Sequence, residues 1–281
     1  MADQQSFAVL PRTYLFVPGS RPERFSKAMD SGADAVIIDL EDAVASDDKP
    51  AARDALVQWL NEKSPVYVRI NAEGTKWYDA DVQALGNHPG VVGLVVPKAD
   101  SCASLAALAA RCRPGLALLP IIESAAGLAA LQTIAGAPGV QRLLFGTIDF
   151  QVDLGLDLSD EELNPYRCHF ALAARLAGIA SPVDGVTTVL DDVDVLRDAA
   201  RQSRRYGFGA KLCIHPRQVA AVHEGFRASS KECEWALKVL TAVDASGGEA
   251  TVVDGEMVDV PVILRAKSIL RSTQGNSTIS V

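Results

Sequence analysis

The chain has 281 residues, and its 27 Lys and Arg against 35 Asp and Glu give a formal net charge of −8. That length fits one large α/β domain or two domains of ordinary size. Hydrophobic residues make up 48% of the chain and charged residues 22%, which excludes wholesale disorder. The acidic balance argues against a nucleic-acid partner bound through its phosphates and against a basic membrane-binding surface.

The sequence predicts no membrane span, no signal peptide and no zinc or disulfide framework. The longest aliphatic run, Val91–Val96, is far shorter than the ~18 apolar residues that cross a bilayer. The first five residues lack the basic charge of a signal peptide, and no apolar core follows them. The five cysteines are scattered without a Cys-x-x-Cys pair, so we expect them to be reduced. We therefore predict a soluble, cytoplasmic protein.

Eight short apolar runs recur along the chain and alternate with helix-compatible segments. Their nearly continuous hydrophobicity is typical of parallel strands covered on both faces. The predicted strands are Tyr14–Val17, Ala35–Leu40, Val66–Ile70, Val91–Val96, Leu116–Ile122, Leu143–Phe145, Pro182–Val189 and Lys211–Ile214. The predicted helices are Pro22–Asp30, Pro50–Asn61, Ser101–Arg111, Ala125–Ile134, Glu161–Leu176 and Asp191–Tyr206, the last capped by Asp191.

This alternation favours a (β/α)₈ (TIM) barrel, an α/β fold, over its competitor, a doubly wound open sheet. The turn after the first strand, 18–21, is not the glycine-rich phosphate loop of dinucleotide-binding sheets. We predict the barrel over residues 1–228 and a C-terminal extension over 229–281, which packs on its own barrel or on a neighbouring subunit. The extension is predicted as a helix, Ser230–Ala245, a hairpin of Thr251–Val253 and Met257–Val260, a final helix, Pro261–Leu270, and a frayed end, 274–280.

Ionisable side chains end six of the eight predicted strands. In a (β/α)₈ barrel these ends form the rim where active sites lie. The side chains are Asp39 with Glu41 and Asp42, Arg69, Lys98, Glu123, Asp149 and His215.

The residue types at the rim suit the binding of a metal ion and an acidic substrate. Glu123 and Asp149, on adjacent strands, can share a hard cation such as Mg²⁺ and leave positions for substrate and water. Arg69 can bind a carboxylate or an enolate oxygen through its planar fork. A metal and an arginine together suit the binding of a 2-oxo acid and the stabilisation of its enolate. The alternative for Glu123 is a cap on the helix that begins at Ser124.

Other rim residues have two interpretations each. The acidic trio Asp39, Glu41 and Asp42 either supports Arg69 and Lys98 directly or forms an ion-pair network beneath the rim. Lys98 is either an ion-pair partner of the carboxylates or a desolvated Schiff-base lysine. The sequence has no G-x-S-x-G turn that a catalytic triad with His215 would need, which favours a structural role for that histidine.

Several motifs, in this order along the chain, resemble the citrate lyase β-subunit family. They are RTYLFVPGSRP at 12–22, DLEDAV at 39–44, KPAAR at 49–53, VRIN at 68–71, VPK at 96–98, PIIES at 120–124, Phe145-Gly146 with Asp149, and GFGAKLCIHP at 207–216. The resemblance extends from about Arg12 to Leu270. The wider group includes malyl-CoA, citramalyl-CoA and methylmalyl-CoA lyases and class II pyruvate aldolases, which share a modified (β/α)₈ barrel assembled as trimers or hexamers.

The resemblance implies that Glu123 and Asp149 bind Mg²⁺ and that Arg69 contacts the oxo-acid substrate. The segment DGEMVDVP at 254–261 looks like the family's tail motif, which implies that Asp259 is the acid/base and enters the active site of a neighbouring subunit. Two departures lie beside the metal: Ile148 stands where many members have Glu, and Asp153, an alternative ligand, stands where small apolar residues are common.

The resulting prediction is a Mg²⁺-dependent carbon–carbon lyase that cleaves a malyl-, citramalyl- or methylmalyl-CoA, or a citryl thioester. The alternatives are a class II aldolase on free oxo acids, a thioester hydrolase with the same metal, and a subunit of a lyase complex. Arg21 and Arg24 are either contacts for CoA phosphates or solvated residues at a helix start. We expect a homotrimer or hexamer.

Overall fold

The computed structural model describes residues 10–245 and 251–274 of the chain. The chain divides into two compact units, a larger one over Pro11–Gly225 and a smaller one that contains the described residues from Phe226 onward together with Leu10. None of the helices in this described part is long and apolar enough to cross a membrane.

The larger unit is a closed barrel of eight parallel strands in chain order. The barrel closes where Thr13 in the first strand lies opposite Lys211 in the eighth. The predicted (β/α)₈ barrel is therefore confirmed, and the open doubly wound sheet is excluded. The strands are β1 (Thr13–Pro18), β2 (Ala35–Asp39), β3 (Val66–Arg69), β4 (Val91–Val96), β5 (Ala117–Ile122), β6 (Leu144–Phe145), β7 (Val183–Asp184) and β8 (Ala210–Cys213).

Helices connect the strands and cover the barrel. They are α1 (Phe25–Met29, after a 3₁₀ turn at Pro22–Arg24), α2 (Lys49–Trp59), α3 (Tyr78–Leu85), α4 (Cys102–Arg111), α5 (Ala125–Ala129), α6 (Leu131–Ala135), α7 (Thr147–Leu154), α8 (Asn164–Ala177), α9 (Val193–Arg205) and α10 (Gln218–Phe226). The expected cap Asp191 is wrong by one residue: Asp192 caps α9, and its carboxylate accepts from the backbone N–H groups of Asp194 and Val195.

The alternation of side chains along the strands carries three functional groups to one end of the barrel. On β2, Ala35 and Ile37 pack in the apolar barrel core, so Asp39 is the next residue on the same face. On β3, Arg69 follows the core residue Tyr67 in the same way, and beyond β5 Glu123 follows Leu119 and Ile121. Because the strands are parallel, these side chains meet at the C-terminal rim.

The smaller unit has its own apolar core. Its elements are α11 (Ser230–Ala245), β9 (Thr251–Val253), β10 (Glu256–Val258) and α12 (Val260–Gln274). Ala236, Val239, Val253, Val258 and Ala266 are among the buried residues that pack together.

The predicted hairpin of this unit is present with a shorter second strand. It turns at Asp254 and Gly255, which have φ values of 54° and 85°, as the commonest two-residue hairpin turn requires. The second strand begins at Glu256 and ends at Val258 because α12 begins at Val260. Of the predicted frayed end, 274–280, Gln274 is the last residue of α12, and the other residues lie outside the described part of the chain.

Candidate active site

A cavity of about 410 Å³ opens at the C-terminal ends of the barrel strands. It brings together four acidic side chains and one basic side chain that the sequence placed at the rim: Asp39, Asp42, Glu123, Asp149 and Arg69. The remaining lining residues are mostly apolar: Phe16, Pro18, Ala43, Ile121, Phe145, Gly146, Thr147, Ile148, Val186, Leu212 and Ile214.

Arg69 is held in place by carboxylates. Its Nε and Nη2 donate to the two oxygens of Asp39 at 2.7 and 2.6 Å, and its Nη1 lies 3.0 Å from Glu41 Oε2 and 3.2 Å from Asp42 Oδ2. Burial opposes the charge of Arg69, but the hydrogen bonds and charges of these acids outweigh burial and raise its pKa. The guanidinium is therefore a fixed cation, and its carbon lies 5.0 Å from the centre of the Phe16 ring.

Asp39 also organises the turn that carries the other two acids. It is 1% exposed, and its oxygens accept from the backbone N–H groups of Glu41 at 2.9 Å and Ala43 at 3.1 Å. Lys49, which the sequence analysis names only within the KPAAR motif, supports the same turn. Its buried Nζ donates to the carbonyl oxygens of Leu40 and Glu41 at 3.0 and 2.6 Å. The signal for Lys49 is its place at the start of a helix, directly before Pro50 in the KPAAR motif.

Glu41 is a buried acid in a crowded negative field. Burial, and then the charges of Asp42, Glu123 and Asp39, raise the pKa of Glu41 to about 8 against the opposing charge of Arg69. Its Oε2 makes no hydrogen bond although Arg69 Nη1 is 3.0 Å away. The two atoms are close enough for an ion pair, but their angles do not meet hydrogen-bond geometry.

Glu123 reaches the cavity as a buried carboxylate with one backbone partner. Its Oε1 accepts from the N–H of Lys98 at 2.7 Å, and Lys98 adopts a left-handed backbone with φ of 50°. Burial is the main cause that raises the pKa of Glu123 to about 7. Repulsion by Asp149 and Asp42 adds to the rise, and the Lys98 hydrogen bond and Arg69 oppose it.

Asp149 lies elsewhere in the fold than the sequence predicted. Strand β6 ends at Phe145, and Asp149 is an exposed residue in the first turn of α7. It still lines the same cavity as Glu123, because α7 begins directly after the short strand. The N-terminal turn of a helix favours a carboxylate.

Asp153, the predicted alternative ligand, is not among the residues that line this cavity. Its Oδ2 accepts from the backbone N–H of Ala125 at 2.7 Å, at the start of the helix that follows Glu123. The alternative role of Glu123, a cap on that helix, is wrong, because the Ser124 side chain caps the helix by accepting from the N–H of Gly127.

Lys98 and His215 also lie beyond the ends of their strands, because β4 ends at Val96 and β8 at Cys213. The Lys98 side chain is 63% exposed, and its Nζ is 4.0 Å from Glu41 Oε1. This exposure does not desolvate the amine as a Schiff-base lysine requires. His215 Nδ1 accepts from the backbone N–H of Arg217 at 3.2 Å, a local structural contact.

The carboxylates of Glu123 and Asp149 fit a hard divalent cation. They are oxygen donors that repel each other in one cavity, and a cation would relieve that repulsion. Nowhere in residues 10–245 and 251–274 do three or more His, Cys, Asp or Glu side chains form a ready metal cluster. Two protein ligands with the other positions left for water and substrate are typical of Mg²⁺.

A second cavity of about 340 Å³ lies next to the first and shares Phe16, Pro18 and Ile214 with it. Two basic residues, Arg24 and Lys27, contribute to its lining. Of the two arginines singled out in the sequence, Arg24 lines this cavity, and Arg21 is not among the lining residues.

Asp259 belongs to the smaller unit. It is half-buried directly before α12, and its Oδ1 accepts from the backbone N–H of Val262 at 3.2 Å. Within its own unit, Asp259 therefore caps a helix.

These observations agree with comparisons to known proteins. The model of the HpcH/HpaI aldolase/citrate lyase family matches residues 12–216, and the chain belongs to this family. A citrate lyase subunit beta-like protein of Mycobacterium tuberculosis is 36% identical to the chain, over 92% of the chain and 94% of its own length. The L-malyl-CoA/beta-methylmalyl-CoA lyase of Cereibacter sphaeroides is 34% identical, over 94% of both chains.

A solved structure shows the same architecture with ligands bound. The protein CitE of Mycobacterium tuberculosis, in complex with magnesium, acetoacetate and coenzyme A, superposes with a TM-score of 0.84 at 35% identity. The match covers 94% of this chain and 98% of that one. The family and these relatives identify the chain as an enzyme of the lyase class.

Proposed function

We propose that the protein is a Mg²⁺-dependent carbon–carbon lyase that cleaves a 3-hydroxyacyl thioester into a 2-oxo acid and an acyl thioester. Malyl-, citramalyl- and methylmalyl-CoA and a citryl thioester are the candidate substrates. The observation that carries the proposal is the meeting of Glu123, Asp149 and a carboxylate-locked Arg69 in one rim cavity. Relatives named as malyl-CoA lyases, and a CitE structure with magnesium and coenzyme A, support it.

Glu123 and Asp149 would hold the metal. Mg²⁺, when bound there, supplies positive charge beside the hydroxyl and carboxylate oxygens of the substrate. The backbone N–H of Lys98 holds Glu123 in its orientation by a hydrogen bond. The positive N-terminal end of α7 stabilises the negative charge of Asp149.

Arg69 stabilises the oxygen that becomes the ketone. Three of the five N–H groups of its guanidinium donate to Asp39 and Asp42, and the guanidinium lines the cavity where the substrate oxygen would lie. The reaction breaks the bond between the hydroxyl-bearing carbon and the carbon next to the thioester. The hydroxyl loses its proton to water as the carbonyl forms, and the bonding electron pair leaves as the thioester enolate.

Asp259 of a neighbouring subunit protonates that enolate, and in the condensation direction it removes the same proton. This role requires an oligomer, for which we propose a homotrimer or hexamer in the cytoplasm. The smaller cavity beside the active site, with Arg24 and Lys27 in its lining, supplies positive charge for the phosphates of CoA.

The first test is a spectrophotometric lyase assay with and without Mg²⁺. The panel is malyl-CoA, citramalyl-CoA, methylmalyl-CoA and citryl-CoA with free citrate, malate and oxaloacetate. We expect metal-dependent release of a 2-oxo acid from a thioester. Cleavage of free acids alone would indicate the aldolase alternative, and release of CoA without carbon–carbon cleavage would indicate a hydrolase. No turnover at all would indicate a subunit that works only in a complex.

Two sets of variants test the residues. Glu123→Ala should abolish metal-dependent turnover and leave the fold intact, whereas the matched control Glu62→Ala, at an exposed carboxylate, should not change turnover. Asp259→Ala should be inactive alone. Mixing it with inactive Glu123→Ala subunits under conditions of subunit exchange should restore activity, because some sites then combine an intact Glu123 with an intact Asp259. Failure of mixing to restore activity would contradict a site shared between subunits.

A further inference from the structure

Helix α2 carries two largely buried basic side chains. Lys49 and Arg53 are four residues apart, so they lie on the same side of the helix. Lys49 is 7% exposed, and the Arg53 side chain is 15% exposed. Both belong to the KPAAR motif, and the proposed reaction gives neither of them a step. A buried cation needs polar partners, and the partners of these two lie on different segments of the chain.

Lys49 holds the segment that follows β2. Its Nζ donates to the carbonyl oxygens of Leu40 and Glu41. The N–H of Leu40 in turn donates to the carbonyl oxygen of Arg69 at 2.9 Å. Leu40 is therefore bonded on one side to α2 and on the other side to the residue that carries the guanidinium. Without the amine, the buried carbonyl group of Leu40 would lose a donor.

Arg53 reaches the segment that follows β3 through a buried aspartate. Its Nη1 donates to Oδ1 of Asp81 at 3.2 Å. The other oxygen of Asp81 accepts from the backbone N–H and the side-chain amide of Asn71 at 3.0 and 2.7 Å. Asn71 comes two residues after Arg69, so these bonds fix the chain just beyond Arg69. Without the guanidinium of Arg53, the carboxylate of Asp81 would be a buried charge without its cation.

The two contacts lie on either side of the pair formed by Asp39 and Arg69. Asp39 is the last residue of β2, and Arg69 is the last residue of β3. Because the guanidinium bonds both oxygens of Asp39, its direction depends on the position of both strand ends. Lys49 acts on the chain directly after Asp39, and Arg53 acts, through Asp81, on the chain directly after Arg69.

We propose that Lys49 and Arg53 are positioning residues that fix the orientation of the Arg69 guanidinium toward the substrate by holding the segments after β2 and β3. This inference rests on the proposed function, in which Arg69 stabilises the oxygen that becomes the ketone. Among the described residues that line the active-site cavity, neither Lys49 nor Arg53 is present, so both act through other residues. Glu123 and Asp149 follow β5 and β6, so metal binding should not depend on α2.

The first readout is the Arg69 side chain itself, and it does not depend on turnover. In protein with isotope-labelled arginine, the Nε–H that donates to Asp39 should give an NMR signal with slow solvent exchange, and its absence from Arg69→Lys assigns it. We expect Lys49→Met and Arg53→Met each to accelerate this exchange by about tenfold. Arg53→Lys should keep the exchange rate of the wild type, because an ammonium group can make the single hydrogen bond to Asp81.

Lys211→Met is the matched control. Lys211 is also a buried lysine, and its Nζ lies 3.5 Å from Oδ2 of Asp184. It belongs to β8, which lies between β7 and β1 and does not adjoin β2 or β3. Its replacement should lower the thermal stability, because a buried pair loses one partner, and it should leave the exchange of the Arg69 proton unchanged.

Kinetics with the thioester that the wild type cleaves best give the second readout. Lys49→Met and Arg53→Met should lower kcat by about ten- to a hundredfold, with a smaller change in KM and with the Mn²⁺ affinity of the wild type. Should Lys49→Met fail to fold, the comparison of Arg53→Met with Arg53→Lys decides the question alone.

Three results would overturn the inference and leave the lyase assignment standing. They are unchanged exchange of the Arg69 proton in the methionine variants of α2, equal acceleration in Lys211→Met, and accelerated exchange without a fall in kcat. Absence of cleavage of every thioester by the wild type would instead refute the proposed function. The exchange rates would still show whether α2 holds Arg69.

Discussion

The backbone at Gly146 passes so close to Glu123 that no methyl group fits between them. A Cβ added at Gly146 would lie 2.7 Å from both the Cβ and the Oε2 of Glu123 and 2.9 Å from Cγ2 of Ile121. Carbon atoms prefer separations of about 3.5 to 4.0 Å, so Gly146→Ala must displace the Glu123 side chain by roughly 1 Å. This displacement acts on a proposed metal ligand.

We expect Gly146→Ala to lower both metal affinity and turnover. A misplacement of about 1 Å at a reacting site can cost on the order of a hundredfold in rate. Overpacking of this kind typically lowers the free energy of unfolding by about 1–3 kcal/mol, so the variant should still fold. Titration with Mn²⁺, followed by electron paramagnetic resonance, measures affinity at the site, and urea unfolding measures stability.

Gly136→Ala is the matched control for this experiment. A Cβ at Gly136 would meet its nearest neighbours at 3.7 and 3.9 Å, which is ordinary contact, and its φ of −86° suits alanine. Binding of Mn²⁺ to Gly146→Ala as tight as to the wild type, with Gly136→Ala also unchanged, would refute the claim that this glycine makes room for the ligand.

Three further predictions concern charge. The pKa of Glu123 is raised to about 7, and a proton on this carboxylate competes with the metal. The affinity for Mn²⁺ should therefore rise with pH up to about 7 and level off above it. Calorimetry that showed the same affinity at several pH values would contradict this prediction. Asp153→Ala should weaken Mn²⁺ binding by about fivefold through loss of the Ala125 contact, whereas Asp153→Asn keeps an acceptor oxygen and should remain near the wild type. Burial raises the pKa of Asp34, but its hydrogen bonds to His223, Arg12 and Thr13 outweigh burial and lower that pKa to about 2. The ionised carboxylate therefore stabilises the fold above pH 3.8, and this contribution is lost as the pH falls through about 2. Asp34→Asn should accordingly destabilise the fold at pH 7 by about 1 kcal/mol or less, since this carboxylate is partly exposed, and urea unfolding should show the difference disappear near pH 2.

The sequence predicts the barrel well because burial on both faces leaves a clear mark on parallel strands. Val91–Val96 is observed with the predicted bounds, but Pro182–Val189 contains a strand of only two residues, Val183–Asp184. A hydrophobic run indicates that its residues are buried. It does not indicate how many of them form backbone hydrogen bonds with a neighbouring strand. Pairing depends on neighbouring strands that are distant in the chain.

Two helices that begin without a side-chain cap, α3 and α7, escaped prediction. Helix α7 follows Gly146, which offers no capping side chain, and its residues Thr147, Ile148 and Val152 are β-branched and favour strands. The sequence therefore predicts Asp149 at the end of a strand. Helix α3 likewise begins after Trp77 without a side-chain cap.

For the site, alternation along the strands is enough to bring Asp39, Arg69 and Glu123 to one rim. Lys49 and Gly146 contribute to the site through contacts with other segments of the chain. The amine of Lys49 donates to the carbonyl oxygen of Leu40, and the absence of a Cβ at Gly146 leaves the space that Glu123 occupies. The place of Lys49 before Pro50 marks a helix start, but it does not indicate which carbonyl groups the amine meets, and the space at Gly146 has no pattern in the sequence. The role proposed for Asp259 would depend on a neighbouring subunit, and contacts within one chain do not test it.

The hydrogen bond that orients Glu123 comes from the main chain of Lys98, so the amine of that lysine is not needed for it. Any residue that supplies an N–H and tolerates a φ of 50° can make the same bond, and asparagine and glycine adopt this conformation most readily. Proline alone has no N–H to donate. Position 98 is therefore a place where an enzyme engineer can change the charge, attach a spectroscopic label or build a new contact near Glu41 while the orientation of Glu123 is retained.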